Sequence, residues 1–497
     1  MSFSLLAGCS KDEKNQIDDK TVQTEILNEF TKMAQIPRES GHERAISSYL
    51  KTWAKENGFN VIRDKSNNII IEVPATAGYE SAPTTILQSN MDMYCIAAEN
   101  TDYNPLVNPI NVIKNEKTYI GSGTNLGAKS GIGMATALYV LKHSDKHGPL
   151  RVIFTVDGES GFKGADNLNT KYLEGKYLIN LNWNAKDAIG SSSAGTVSYE
   201  MTRHINWVAP KNTIPYEISI SGLNGGDSRK NINDGNANAV KIIGETLAKA
   251  QGQGILFELG AFNGGIAKDT IPTAANALII INDSDQKKLN NILDSTIDNF
   301  KSTYGDVEKN GTFTYYETTM PDKVVSFEDN GSIMSFIYGI INGVQTTSDT
   351  FTDMVESSSN LGMVSTTTGN FIADIFAAGN TVTSLQNITS EHEAISSMSA
   401  LEYKSENNMP VWTYNPDNTL NTQLQTIWKD SYGIDAKLDA VHYELECSKF
   451  IEKNPNLQMA SIGPYIKNID TPEETLQLDS VTKPATVILK FLEQIKD

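Results

Sequence analysis

Residues with obvious chemical potential are few in this chain and unevenly placed. Gly121-Ser122-Gly123-Thr124-Asn125-Leu126-Gly127-Ala128-Lys129-Ser130-Gly131 has the glycine density of a phosphate-cradling loop, in which backbone amides wrap an anion at a helix start. A Walker-type loop needs Gly directly before Lys, and Ala128 stands there. A dinucleotide fingerprint needs its third Gly one residue earlier than Gly127, so the spacing argues against both phosphate chemistries. His143 and His147 stand four apart, as zinc-binding pairs on helices do, but the Glu that accompanies such pairs is missing. Ahead of Gly148-Pro149 they read as a solvated helix end, while His42 and His204 stand alone as surface or capping residues. No Gly-x-Ser-x-Gly nucleophile elbow is present. Three cysteines cannot frame a chain of 497 residues, and Cys95 and Cys447, in apolar-rich stretches, read as core thiols.

The charge balance excludes other classes. There are 41 Lys and Arg against 60 Asp and Glu, a net charge of −19, which argues against nucleic acid and anionic membrane surfaces as partners. With 39% hydrophobic and 20% charged residues, the composition is that of a soluble globular protein. The length predicts two domains. At the start, Leu6-Ala7-Gly8-Cys9 looks like a bacterial lipobox with Cys9 as the lipidated residue. Ser10-Lys11-Asp12-Glu13-Lys14 then reads as a tether, and resembles the acidic export tag of some Gram-negative bacteria. The expectation is an envelope lipoprotein, periplasmic or on the outer surface, touching the membrane only through its anchor. No later run of 18 apolar residues is present.

The elements that must position any site follow from periodicity. Val22, Ile26, Phe30 and Met33 recur at helical spacing until Pro37, and a second helix is predicted near Glu43–Asn57. Buried strands are predicted at Asn68–Val73, Thr84–Gln88, Val152–Val156 and Tyr177–Leu181, with a helix opening at Gly131 between them. Apolar strands alternating with helices imply a mixed sheet flanked by helices. Around Lys211 the pattern changes: Tyr216–Ser221 alternates apolar and polar, as a half-exposed strand does. Helices near Asn236–Lys249 and Lys287–Phe300 and strands at Ala277–Ile281 and Thr312–Tyr316 predict a smaller α+β domain. The chain therefore divides into a tether (1–20), a first part of an α/β domain (21–210), an inserted domain (211–390) and a second part (391–497), closed by an amphipathic helix at Val481–Ile495.

Four segments together resemble the co-catalytic di-zinc dipeptidases of the aminoacyl-histidine (carnosine-cleaving) family: Leu87–Met93, Thr124–Gly133, Phe154–Ala165 and Leu178–Asn184. The similarity extends from Ile36-Pro37-Arg38-Glu39-Ser40 to His442–Cys447 and Ser461–Pro464, in order, over nearly the whole chain. It implies a zinc-aminopeptidase-like α/β domain with an inserted lid. In that family two zinc ions share a bridging carboxylate and an activated water, and a Glu removes the water's proton.

Carried over position by position, the resemblance implies a degenerate site. Asn90 stands where the first ligand His is usual, Asp92 keeps the Asp that orients it, and Lys129 stands where the bridging Asp is usual. Gly158 replaces the general base, Glu159 keeps a ligand Glu, Asn182 replaces a ligand Asp, and Asp470 replaces the final ligand His. In the lid, Asp227 replaces a substrate-contacting His, and Lys268 stands in the segment that usually reads Arg-Asn-Ala-Ile-Pro. The Lys129 ammonium is expected to take over the role of metal charge, pairing with Glu159, Asp470 or Asp92. On this account no catalytic residue, metal ligand or cofactor is expected, although family members use two zinc ions. The old cleft would bind a small peptide-like ligand, and a homodimer is compatible with the family. The alternative is an active Xaa-His metallodipeptidase with an atypical metal site, for instance on Glu159, Asp470 and Asp92.

Overall fold

The computed structural model describes residues 19–496, and two compact units emerge from the contacts within it. The lipobox and Cys9 lie outside the described residues.

The first unit comprises residues up to Gly190 together with Asp417–Leu438 and the stretch from Lys453. Its frame is a mixed sheet with Thr85–Asn90 near the centre, parallel to Leu150–Thr155 on one side and Tyr177–Asn180 on the other. Gln458–Ser461 adds a further parallel strand, while Ile69–Val73 and Asn60–Arg63 extend the other edge antiparallel. The first three of these parallel strands are buried except at Arg151, with apolar cores Ile86–Leu87, Val152–Phe154 and Leu178–Ile179, as strands covered on both faces are. Helices Asp19–Ala34, Arg44–Glu56, Ala128–His143, Thr419–Tyr432 and Thr482–Gln494 cover it. Ala128–His143 is buried on nearly every side, so it lacks the one-sided pattern of a surface helix. A Cβ at Gly133 would meet Ser89 Oγ at 2.7 Å and the Leu181 carbonyl at 2.8 Å. Here the glycine-rich sequence serves close helix–sheet approach, and the helix begins at Ala128, three residues before the predicted Gly131.

The second unit comprises Ser191–Pro416 and Asp439–Glu452. Its large sheet is antiparallel throughout, in the order Thr312–Glu317, Ile214–Ser221, Ala275–Ile281, Glu258–Gly264, Val355–Thr366, Asn370–Gly379, Gly195–His204 and Glu402–Met409. The alternation predicted for the strand at 216–221 is real: Tyr216, Ile218 and Ile220 are buried, while Glu217 and Ser219 are half-buried. Helices Ala239–Gly252, Gln286–Tyr304, Phe327–Gly339 and Val382–Met398 pack against this sheet. The unit is wider than the stretch 211–390 read from patterning, because Gly195–His204 pairs along its whole length with Asn370–Gly379 and also with Glu402–Met409. The helix Val382–Met398 likewise runs through the expected boundary, with His392 buried and its Nε2 2.9 Å from Ser359 Oγ.

Candidate functional site

In the first unit, three parallel strands end at one edge of the sheet, and their C-terminal ends deliver the predicted positions. Asn90 closes its strand, Asp157–Glu159 follow Leu150–Thr155, and Asn182 follows Tyr177–Asn180. This is where open α/β sheets place their ligands. Lys129 enters from the first turn of the helix Ala128–His143, and Asp470 from the loop after Ile466–Lys467.

Asp92 is the organiser. Its carboxylate accepts from the backbone N–H of Gly158 at 2.8 Å and of Glu159 at 3.0 Å, from Ser40 Oγ at 2.7 Å, and from Asn90 Nδ2 at 2.9 Å. It therefore fixes the turn that presents Glu159. Two non-glycine residues of that turn, Asp157 (φ 56°) and Phe162 (φ 54°), adopt left-handed backbone, a strained arrangement of the kind that surrounding contacts must enforce.

Glu159 receives donors on both oxygens: Lys129 Nζ on Oε2 at 2.6 Å and Asn90 Nδ2 on Oε1 at 2.9 Å. Burial raises its pKa. The Lys129 ammonium opposes that rise, and the carboxylates of Asp92 and Asp470 add to it. Of the three partners expected for Lys129, Glu159 forms an ion pair with it at 2.6 Å. Asn182 Nδ2 donates to Asn90 Oδ1, and Asn182 Oδ1 accepts from Ser89 Oγ at 2.8 Å. Asn90, Asp92, Lys129, Gly158, Glu159 and Asn182 thus form one continuous network. Asp470, held at φ 57°, joins it electrostatically through Glu159 and Glu474.

Three contributors were not foreseen. Arg38, 2% exposed, donates to the carbonyls of Met91, Asp92 and Gly127 and to Ser130 Oγ, tying the strand end to the helix start. Glu43 accepts from the backbone N–H of Asp157 at 3.0 Å, and burial raises its pKa. Glu474 accepts from three backbone N–H groups at the start of the Lys129 helix. Arg38 lies inside a segment already noted for its resemblance. Glu43 and Glu474 left no signal, since both act on backbone distant in sequence.

The lid positions belong to the second unit. Asp227 caps the short helix Ser228–Asn231 and pairs with Arg229 at 2.5 Å, and Arg229 also reaches Glu444 at 3.0 Å. Lys268 is half-buried, its carbonyl accepting from Asn360 Nδ2 at 3.0 Å. His442, in the same unit, bonds Ser358 and Asn380, and burial lowers its pKa to about 4.

Other expectations need correction. His147 is not on a solvated helix end: the helix stops at His143, and His147 is buried with Nδ1 2.6 Å from the Gly148 carbonyl. Cys447 is buried as expected, whereas Cys95 is only half-buried, its thiol pushed up to about 12 by burial.

The profile described as peptidase family M20/M25/M40 matches residues 86–494. The chain is 28% identical over 468 residues to the cytosol non-specific dipeptidase of Escherichia coli, covering 94% of this chain and 96% of that one. Its structure is similar to that of the aminoacylhistidine dipeptidase of Vibrio alginolyticus, with a TM-score of 0.85 and 29% identity over 97% and 98% of the two chains. A tripeptidase of Staphylococcus aureus shares the fold at a TM-score of 0.55 and 16% identity, over 95% and 98%.

These findings overturn two expectations. An envelope location conflicts with the likeness to a cytosol dipeptidase over almost the whole chain; among the described residues no helix is long and apolar enough to cross a membrane. The expectation of no cofactor conflicts with the match to peptidase family M20/M25/M40 and with the likeness to dipeptidases over nearly the whole chain. The donor set at the carried-over positions, however, does not fit a zinc pair. Amides stand at 90 and 182, and an ammonium lies 2.6 Å from Glu159. Among the described residues no group of three or more His, Cys, Asp or Glu side chains is placed to hold a metal ion. With the family profile matching residues 86–494, the chain belongs to peptidase family M20/M25/M40.

Proposed function

We propose that this protein keeps the frame of a dipeptidase without its hydrolytic chemistry, and binds a peptide-like ligand over the Lys129–Glu159 pair. The observation that carries this is the ammonium of Lys129 seated 2.6 Å from Glu159, with Asn90 on the other carboxylate oxygen. With both oxygens already engaged by donors, Glu159 is turned to the protein's own groups rather than to a water. Gly158, at the base position, has no side chain to take a proton; losing a general base alone removes a factor of about 10²–10⁴ in rate. What supports ligand binding is the architecture around these residues: strand ends, an anchoring Asp92 and a strained turn.

The test is hydrolysis of dipeptides with a C-terminal His, by the protein as isolated and with zinc supplied, alongside thermal shifts with the same dipeptides. No turnover under either condition, with a melting temperature that rises as a dipeptide saturates, is expected. Turnover that a chelator abolishes would establish the active metallodipeptidase instead. A melting temperature indifferent to every dipeptide would remove the binding half of the proposal.

A further inference from the structure

The helix that carries Lys129 starts in an unusual way. Gly127 at its N-cap is left-handed (φ 65°) and offers no side-chain cap, and its first turn holds a Lys and no acidic residue. Both features are unfavourable at the positive end of a helix dipole, where free N–H groups call for an anion. The anion comes from 346 residues away. Glu474, 1% exposed, accepts from Leu126 N–H at 3.0 Å and Gly127 N–H at 3.1 Å through Oε2, and from Ala128 N–H at 2.8 Å through Oε1.

Glu474 is itself held in place. Its own N–H donates to the Thr471 carbonyl at 3.0 Å, and it precedes the strand Thr475–Gln477, which pairs antiparallel with Thr118–Gly121. That partner strand leads into the loop ending at Gly127. One carboxylate thus clamps together the loop of Asp470 and the first turn of Lys129, the residue next to Ala128.

We propose that Glu474 is a positioning residue: as a built-in anion at the helix start, it holds the first turn so that the Lys129 ammonium stays on Glu159. The inference goes beyond the ligand-binding proposal and does not rest on it, because it concerns the placement of Lys129 in the free protein.

The experiment compares the wild-type protein with Glu474→Ala and Glu474→Gln. The readout is the acylation rate of Lys129 by an N-hydroxysuccinimide ester, followed by mass spectrometry against the exposed Lys55. In Glu474→Ala the relative rate at Lys129 is expected to rise about fivefold, the factor that one lost helix cap represents. Formate is expected to reverse that rise where chloride at equal ionic strength does not, because a small carboxylate refills the vacated N–H groups. Glu474→Gln keeps an acceptor oxygen and the side-chain volume, and is expected to fall between. Should Glu474→Ala fail to fold, Glu474→Gln carries the comparison. A melting temperature that drops while Lys129 labelling stays unchanged would reduce Glu474 to an ordinary cap and overturn the proposal. A rise that formate does not reverse would overturn it equally.

Discussion

Replacing Lys129 with Met tests the core of the site directly. The substitution keeps length and apolar stem but removes the ammonium 2.6 Å from Glu159. Glu159 then keeps its other donor, Asn90 at 2.9 Å, but loses the charge that opposes its own burial and the neighbouring Asp92 and Asp470. Removing one partner of a fully buried ion pair costs about 3–5 kcal/mol. The side chains of Lys129 and Glu159 are 20% and 9% exposed, so partial hydration lowers the expected loss to about 2–3 kcal/mol at pH 8. The sign of the pH dependence is fixed. Burial raises the pKa of Glu159 above its ordinary value, and Lys129→Met raises it further, so the variant takes up a proton at a higher pH than the wild type. Once Glu159 is neutral, the missing ammonium costs little. The deficit should be full above the variant's Glu159 pKa and shrink as pH falls toward 4.5, the ordinary glutamate value. Urea denaturation at a series of pH values reads this, and Glu159→Gln in the Lys129→Met background should recover most of the loss. A deficit below about 0.5 kcal/mol at pH 8, or one independent of pH, would show that the pair is not holding a buried charge.

Three further outcomes follow from the geometry. Lys453→Met should cost about 1–2 kcal/mol in urea denaturation, because its ammonium donates to the carbonyls of Ala165 (2.6 Å), Asp166 (2.6 Å) and Leu168 (3.0 Å) at the end of the helix Lys163–Asn167. Gly127→Ala should lower the melting temperature and cost at least about 1–3 kcal/mol, since φ is 65° and the new Cβ would lie 2.3 Å from Met93 Sδ and 2.7 Å from an Arg38 nitrogen. His392, lowered to about 3 by burial, stays neutral in the fold, so stability should fall as pH drops below 6.5, by up to about 1.4 kcal/mol per pH unit. His392→Asn should flatten that slope in an acid titration followed by circular dichroism.

Elements with strong periodicity were legible in the sequence; elements defined by partners were not. The strands at 150–155 and 177–180 and the helices at 19–34 and 286–304 sit within a few residues of their predicted places, because apolar runs and helical stripes report burial directly. Gly195–His204 was not anticipated: it begins with small and hydroxyl residues whose strand character depends on neighbours on both sides. His147 was misplaced for a related reason, since spacing says nothing about the turn that buries it. At the site, the strand ends and the Lys129–Glu159 pair could be anticipated from segment order. Arg38, Glu43 and Glu474 could not, because each acts on backbone groups of distant segments, a relation that side-chain type alone does not encode.

The direction of the hydrogen bonds ties the two amides, the carboxylate and the ammonium into one interdependent arrangement. Asn90 Nδ2 faces Asp92 Oδ1 and Glu159 Oε1, two acceptors, so it must donate, and its Oδ1 must then accept from Asn182 Nδ2. Asn182 Oδ1 in turn accepts from Ser89 Oγ. The chain of donors therefore runs from Ser89 through two amides to Glu159 and is met there by Lys129 from the other side. A carboxylate at 182 would confront Asn90 Oδ1 and drive that amide to flip, withdrawing a donor from Glu159 and turning an acceptor toward it. A carboxylate at 129 would place a second negative charge against a buried first one. A carboxylate placed at 182 or at 129 should thus destabilise the network, because the neighbours there are complementary to the amide and the ammonium.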